Sequence, residues 1–454
     1  MALSNLVSLG RHTITGMIVT AGLQFTDWTA DYRLFSHNRF NLDKVFDVCR
    51  EEVLTSTPDS IPLVVAMDDS IFRKRGTKTH GVAYRRDPLG PKFRINFVHG
   101  QRVLQISAAL PQDHNPGPAQ MIPIDFRHCP TPVKPRKNAS PQEWEMYQQL
   151  QKKNNISLIG AERIQTLRDA LDREKSSEKR RLIVSVDGGY TNQNVLKKLP
   201  PRTTLIGRIR KDAKLYYLPE PIPEGQKGRK RVYGKQAPTP EELLKNKDIP
   251  YQKVTAWATG KLHEFKVKSL EALRWRTAGQ KHILRLIVIA PLAYRLSKNA
   301  SILYRKPAFL ICTDPDMSIQ EILQKYIWRW GIEVNFRDEK HLLGAGKAQV
   351  RHEQSVENVP GLIIASYSML LLAANKAFAT EEKSLVLPNP KWIKEENGQH
   401  VSTQKLINYL RAELWAQSLG IYNSSDFDNI RSNKESKPEK CMPELPSAVL
   451  YAAA

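Results

Sequence analysis

The sequence predicts an α/β protein. Three stretches, residues 61–67, 181–186 and 308–313, read as strands buried on both faces, because their apolar runs are short, bounded and not alternating. Helices with recognisable caps lie between and after them. The first strand ends in Asp68 and Asp69, and the second ends in Asp187 followed by Gly188, Gly189 and Tyr190. In sheets that carry helices, strand ends are where sites form.

Taken in order, residues 1–58 read as a helical N-terminal region. Phe25, Trp28, Tyr32 and Leu34 carry apolar spacing, and Asn41 is placed to cap a segment with Val45, Phe46 and Val53 inward. Its basic side (Arg11, His12, Arg33, His37, Arg39) suits a small DNA-binding unit and equally a brace on the main body. Residues 59–212 form the first part of a core. Within it, 92–98 and 102–109 read as a hairpin about His99-Gly100, and 111–139 read as a proline-rich loop. Ser140-Pro141-Gln142-Glu143 opens a helix with a capping box and proline at its first position. A second helix covers 161–175, and a strand 204–210 follows the glycine turn.

Residues 213–300 break the pattern. Segments 251–257, 262–268, 272–276 and 282–290 alternate like strands, so this stretch reads as a mostly β insertion. Between Arg202 and Lys235 there are 10 lysines and arginines against 3 acids, with Tyr216, Tyr217 and Tyr233 interleaved. Cations among aromatics suit nucleic acid, and Arg229, Lys230 and Arg231 are the densest cluster. Residues 301–380 return to the core and end in an apolar helix over 353–378. Residues 381–454 are a polar linker, an amphipathic helix with Leu406, Leu410 and Leu414 on one face, and a polar tail.

Composition bounds the function. The chain has 454 residues, a net charge of +23 and a pI near 9.7, a surplus that suits a polyanion. Its four cysteines are scattered with no CxxC pair, against a disulfide framework or a zinc ribbon. The start has no secretory pattern, and the longest apolar run, 361–374, is too short to span a bilayer. The chain reads as soluble and cytoplasmic, without a membrane partner.

The stretch YIWRWGIEVNFRDEK, residues 326–340, organises the rest. Ser318 and Glu321 make a capping box before it, and Gly344 is a natural stop after it. With Tyr326 at zero, Arg329, Glu333 and Lys340 fall at about 300°, 340° and 320° on a helical wheel. All four share one face, while Asp338 and Glu339 point elsewhere. The remaining faces are apolar nearly all round, as in a buried helix. Three carboxylates, from the ends of two buried strands and from this helix, are hard oxygen ligands suited to magnesium, with manganese as a substitute. Two such ions about 4 Å apart serve phosphodiester chemistry. Successive strand residues face opposite ways, so only one of Asp68 and Asp69 points into a given site.

The spacing Tyr326-x2-Arg329-x3-Glu333-x6-Lys340 resembles the Tyr-Arg-Glu-Lys signature of bacterial insertion-sequence transposases with the DDE triad. Met67-Asp68-Asp69-Ser70 is similar to that family's first strand end, where the second acid is catalytic, and Val184-Ser185-Val186-Asp187 to its second. The resemblance covers roughly residues 60–378. It implies a ribonuclease-H-like core, a mixed sheet with helices, and a catalytic, metal-binding triad of Asp69, Asp187 and Glu333. It implies that Tyr326, Arg329 and Lys340 contact DNA, and that a homodimer on paired ends nicks transposon DNA and joins the freed 3′-hydroxyl to a target. A catalytically silent DNA-binding regulator and a metal-dependent nuclease without strand transfer are the alternative readings.

Overall fold

A computed structural model describes residues 1–37, 39–87, 90–91, 93–112, 116–174, 178–220, 231–279, 282–297, 299–379, 387–390, 401–423 and 445–452. The N-terminal region forms α1 (Ala2–Val7), α2 (Ile14–Thr20), α3 (Thr29–Ser36) and α4 (Leu42–Thr55). Asn41 caps α4 by accepting from the backbone N–H of Asp43 and Lys44, as the sequence indicates. These helices do not stand apart. Leu6, Met17, Phe35, Phe46 and Val53 are buried in the same apolar core as the main sheet.

The sheet begins with β1 (Leu63–Arg73), β2 (Ala83–Arg86), β3 (Phe97–Pro111) and β4 (Ala119–His128). The hairpin expected about His99-Gly100 is absent: β3 runs straight through both residues. Pairing with β1 on one side and with β2 and then β4 on the other holds it extended. The stretch expected to be a proline-rich loop contains β4. Its Pro123 sits beside a register shift opposite Ile106 and Ser107, a bulge where a missing N–H is tolerated.

Helices α5 (Pro141–Lys153) and α6 (Ile156–Arg173) precede β5 (Leu182–Val186), α7 (Gln193–Leu196) and β6 (Thr203–Arg208). The Ser140–Glu143 capping box of α5 is formed. Both β5 and β6 run parallel to β1, whereas β3 is antiparallel to it. The order β4-β3-β1-β5-β6 is the ribonuclease-H-like mixed sheet that the resemblance implies.

The insertion contributes β7 (Tyr216–Tyr217), α8 (Pro240–Lys245), β8 (Gln252–Ala258), β9 (Lys261–Arg274), β10 (Leu284–Ile289) and β11 (Ala293–Tyr294), and β12 (Leu303–Tyr304), just past residue 300, pairs with β11. It is mostly β, but it is continuous with the core. Strand β10 pairs with β13 (Ala308–Cys312), which pairs with β6, so β10, β9 and β7 extend the same sheet.

After β13 come α9 (Ile319–Trp328) and α10 (Trp330–His341), then α11 (Glu353–Ala379) and α12 (Thr403–Trp415). The Ser318–Glu321 capping box starts α9, and Gly344 at φ +62° follows α10. One continuous helix was expected between them. Instead Arg329 occupies a tightened turn: its N–H reaches the Tyr326 carbonyl at 3.2 Å, and its own carbonyl accepts from Ile332 at 3.1 Å. Helix α11 is long and apolar enough to cross a membrane by length and composition, yet most of it is buried inside the protein.

Close approach of α10 to β4 depends on Gly331, where an added Cβ would fall 2.3 Å from Met121 Cγ. Gly331→Val is expected to lower stability by about 1–3 kcal/mol through overpacking, read as a shifted denaturant midpoint with unchanged slope.

Candidate active site

The two faces of the central strands pack against different helices, and this decides where each acid points. Val64 and Ala66 of β1 and Ile183 of β5 are buried with Ile322, Leu323, Ile332 and Phe336 of α9 and α10. Val65 and Met67 are buried with Ile164, Leu167 and Leu171 of α6 on the other face. Alternation along β1 therefore sends Asp68 and Ser70 toward α9 and α10, and Asp69 away from them.

The hydrogen bonds agree. The Arg329 guanidinium donates through Nη1 to Asp68 Oδ2 at 3.0 Å and through Nη2 to Glu333 Oε1 at 3.1 Å. Ser70 Oγ accepts from Lys340 Nζ at 2.5 Å. Asp187 follows Val186, which pairs in parallel register with Met67, so Asp187 lies beside Asp68 on the same face. Burial first, and then the nearby Asp187 charge, push the Asp68 carboxyl up to about 7 despite the opposing Arg329. Tyr326 stacks on Arg329, with the guanidinium carbon 5.6 Å from the ring centroid.

Of the residues the sequence put forward, the structure thus gathers Asp187, Glu333, Arg329, Tyr326 and Lys340. It does not bring Asp69 to them. Asp69 accepts instead from the Tyr190 hydroxyl at 2.6 Å and from Arg102 Nε at 2.7 Å on the α6 side of the sheet. Its place beside Asp187 and Glu333 is taken by Asp68. Apolar residues on both faces of 61–67 gave no alternation from which to choose between the two acids. Arg231 is exposed, while Arg229 and Lys230 lie outside the described residues.

The glycine turn after β5 fixes the Asp187 side chain. Asp187 Oδ1 accepts from the Gly189 N–H at 2.7 Å, and its carbonyl accepts from Thr191 Oγ1 at 2.8 Å. Ser185 Oγ donates to the Lys325 carbonyl at 3.1 Å, tying β5 to α9 just before the tightened turn.

Neither Asp338 nor Glu339 belongs to the functional stripe, as expected, but both are buried. Asp338 Oδ2 accepts from Thr403 Oγ1 at 2.6 Å, anchoring α10 to α12. Glu339 accepts from Gln105 Nε2 at 2.9 Å, and Gln105 is the cross-strand partner of Asp68. Burial raises the Glu339 carboxyl to about 8, so at neutral pH it is mainly protonated and adds little negative charge near Asp68.

Among the described residues no group of three His, Cys, Asp or Glu side chains is gathered tightly enough to hold a metal ion as it stands. Arg329 stands between two of the three carboxylates. The donor types nonetheless fit a hard divalent ion: Asp68 and Asp187 are adjacent carboxylates, and Glu333 is joined to Asp68 through Arg329.

Carboxylates brought together from adjacent parallel strands and a facing helix, with cations beside them, are the residue types that metal-assisted phosphodiester cleavage uses. Residues 3–281 match the family model for the DDE superfamily endonuclease, and the chain belongs to that superfamily. The matched span holds Asp68, Asp69 and Asp187; Glu333 lies beyond it. Membership implies DNA as substrate and a divalent metal ion in the chemistry. No curated protein matches the chain.

Glu339→Gln tests the buried acid. A folded value near 8 against an unfolded 4.5 means that wild-type stability is fully present below about pH 4.5 and is lost as pH rises toward 8. Denaturation from pH 5 to 9 is expected to show the variant gaining on wild type by up to about 1.4 kcal/mol per pH unit, levelling above 8. Parallel pH profiles would mean that Glu339 is not protonated in the fold.

Proposed function

We propose that the protein is a DNA transposase of the insertion-sequence type, which nicks the ends of its element and joins the freed 3′-hydroxyl to target DNA. The observation that carries this reading is the Arg329 bridge between Asp68 and Glu333, with Asp187 alongside, set in the Tyr326-Arg329-Glu333-Lys340 frame of a DDE superfamily endonuclease. Asp68, Asp187 and Glu333 are the residues that would hold magnesium, or manganese in its place. When bound, the ion supplies an activated attacking oxygen and charge neutralisation at the leaving oxygen.

The chain's own groups have separable tasks in this reading. Arg329 pairs with both Asp68 and Glu333 in the resting protein and, beside Tyr326, is placed to meet a backbone phosphate. Lys340, fixed by Ser70, supplies a second cation one side of the carboxylates. Asp69 is a positioning residue: through Arg102 and Tyr190 it ties β1 to β3 and to the glycine turn that aims Asp187. Synapsis of two copies on paired ends, with the exposed Arg231 among the DNA contacts, completes the reading.

The test supplies the inverted repeats flanking the coding region as labelled duplex with magnesium. Asp68→Asn, Asp187→Asn and Glu333→Gln are each expected to lose nicking by on the order of 1,000-fold or more while still binding DNA, as removal of a metal ligand demands. Asp69→Asn is expected to lose only about 10–100-fold, since it acts through neighbours. Full activity in Asp68→Asn, or its loss only in Asp69→Asn, would overturn the assignment of the first carboxylate.

Chelation separates chemistry from binding. Excess chelator is expected to abolish nicking and leave the gel shift of the same duplex in place, with magnesium restoring cleavage. Nicked ends that never appear joined to a second duplex would reduce the proposal to a nuclease. Specific binding with no nicking at all would make the protein a silent regulator.

A further inference from the structure

Beyond the end of β1, the sheet continues as two strands only. Pairing of β1 with β3 stops at Arg73 opposite Gly100, whereas β2 pairs with β3 on to Arg86 opposite Phe97. The ribbon closes where the Asp87 N–H donates to the Asn96 carbonyl at 2.9 Å. One face of it presents Tyr84 tilted against His99, ring centroids 4.8 Å apart, and Arg86 opposite Phe97.

The surface of this ribbon is unusual for an unpartnered part of a soluble fold. Phe93 is 93% exposed, and Tyr84, Ile95 and Phe97 are each more than half exposed. Arg86 and Arg94 are exposed among them. Between Arg73 and Arg102 the sequence has nine lysines and arginines against a single acid, Asp87, which is already paired with Arg73. That is a denser positive charge than in the basic stretch of the insertion.

The ribbon is also continuous with the active site. Arg73 lies five residues along β1 from Asp68, about 17 Å at strand spacing, and both Arg73 and Asp87 are near enough to Lys340 to influence its ammonium. A duplex engaged at the carboxylates reaches the ribbon within about five base-pair steps.

We propose that this ribbon is a DNA-docking arm. Arg86 and Arg94 meet backbone phosphates of the duplex flanking the scissile bond, and Phe93, Ile95 and Phe97 pack against its bases. A two-stranded ribbon has the dimensions to enter a major groove, and apolar side chains among cations suit a nucleic-acid surface better than a purely electrostatic one. The inference rests on DNA being the partner and adds a surface outside the carboxylate site.

The experiment uses the full-length protein and a fluorescein-labelled 30-base-pair duplex of arbitrary sequence, with binding followed by anisotropy across salt concentration and no cleavage required. For Arg86→Ala with Arg94→Ala, the slope of log affinity against log salt is expected to flatten by about two, and affinity near 0.1 M salt to fall at least about 10-fold. Arg86→Lys with Arg94→Lys is expected to keep the wild-type slope. Phe93→Ser, Ile95→Ser and Phe97→Ser together are expected to weaken binding about 10-fold with the slope unchanged.

Wild-type affinity and slope in both sets of variants would overturn the proposal. So would unchanged DNA binding by the serine variant with conversion of a dimer to monomer in sedimentation, which would make the ribbon an interface between copies of the chain. The residues are exposed, so thermal melts matching wild type are expected to confirm folding. Nicking with arm-independent binding would remove the arm and leave the transposase; arm-dependent binding without nicking would do the reverse.

Discussion

One guanidinium holds the site together. Arg329 spans from a strand to its own helix, joining Asp68 to Glu333 in a half-buried setting where two unpaired carboxylates beside Asp187 would repel one another. Such a charge is expensive to bury alone and expensive to remove once its partners are built around it. Arg329 sits at the tightened turn between α9 and α10. Tyr326 stacks on the guanidinium from the preceding helix, while the chain resumes at Trp330 with Gly331 pressed against Met121.

Around that interaction lies a shell of buried polar groups that fixes α10 against its surroundings. Asp338 is held by Thr403, Glu339 by Gln105, and Asn335 donates to the Met121 carbonyl at 3.0 Å. These contacts come from α12, β3 and β4, so the helix carrying Glu333 is tied to three separate elements. A helix fixed this way delivers the Glu333 side chain with little freedom.

Much of this was legible in the sequence, because it was written in local chemistry. Capping boxes at Ser140 and Ser318, the Asn41 cap, the buried strands and the stop at Gly344 all follow from neighbours within a few residues, and all are formed. What escaped was set by long-range pairing. His99-Gly100 has the look of a turn, but two flanking strands hold it extended. Pro123 argues against a strand until a bulge accommodates it. The choice between Asp68 and Asp69 depends on which helices cover which face, and no periodicity within an all-apolar strand encodes that. Glu339 was legible as off the stripe, but its burial against Gln105 was not, since that contact spans 234 positions.

The way the insertion joins the sheet limits how this architecture can vary. Strand β10 satisfies one whole edge of β13, and β9 in turn satisfies β10. Excising residues 213–300 as a cassette would strip that edge and leave a row of unpaired backbone groups along β13, a template for aggregation. Strand β8 is tied in as well, since the Trp257 N–H donates to Gln324 Oε1 of α9 at 2.7 Å, so β8, β9 and β10 belong to the same framework as the strands that carry the carboxylates.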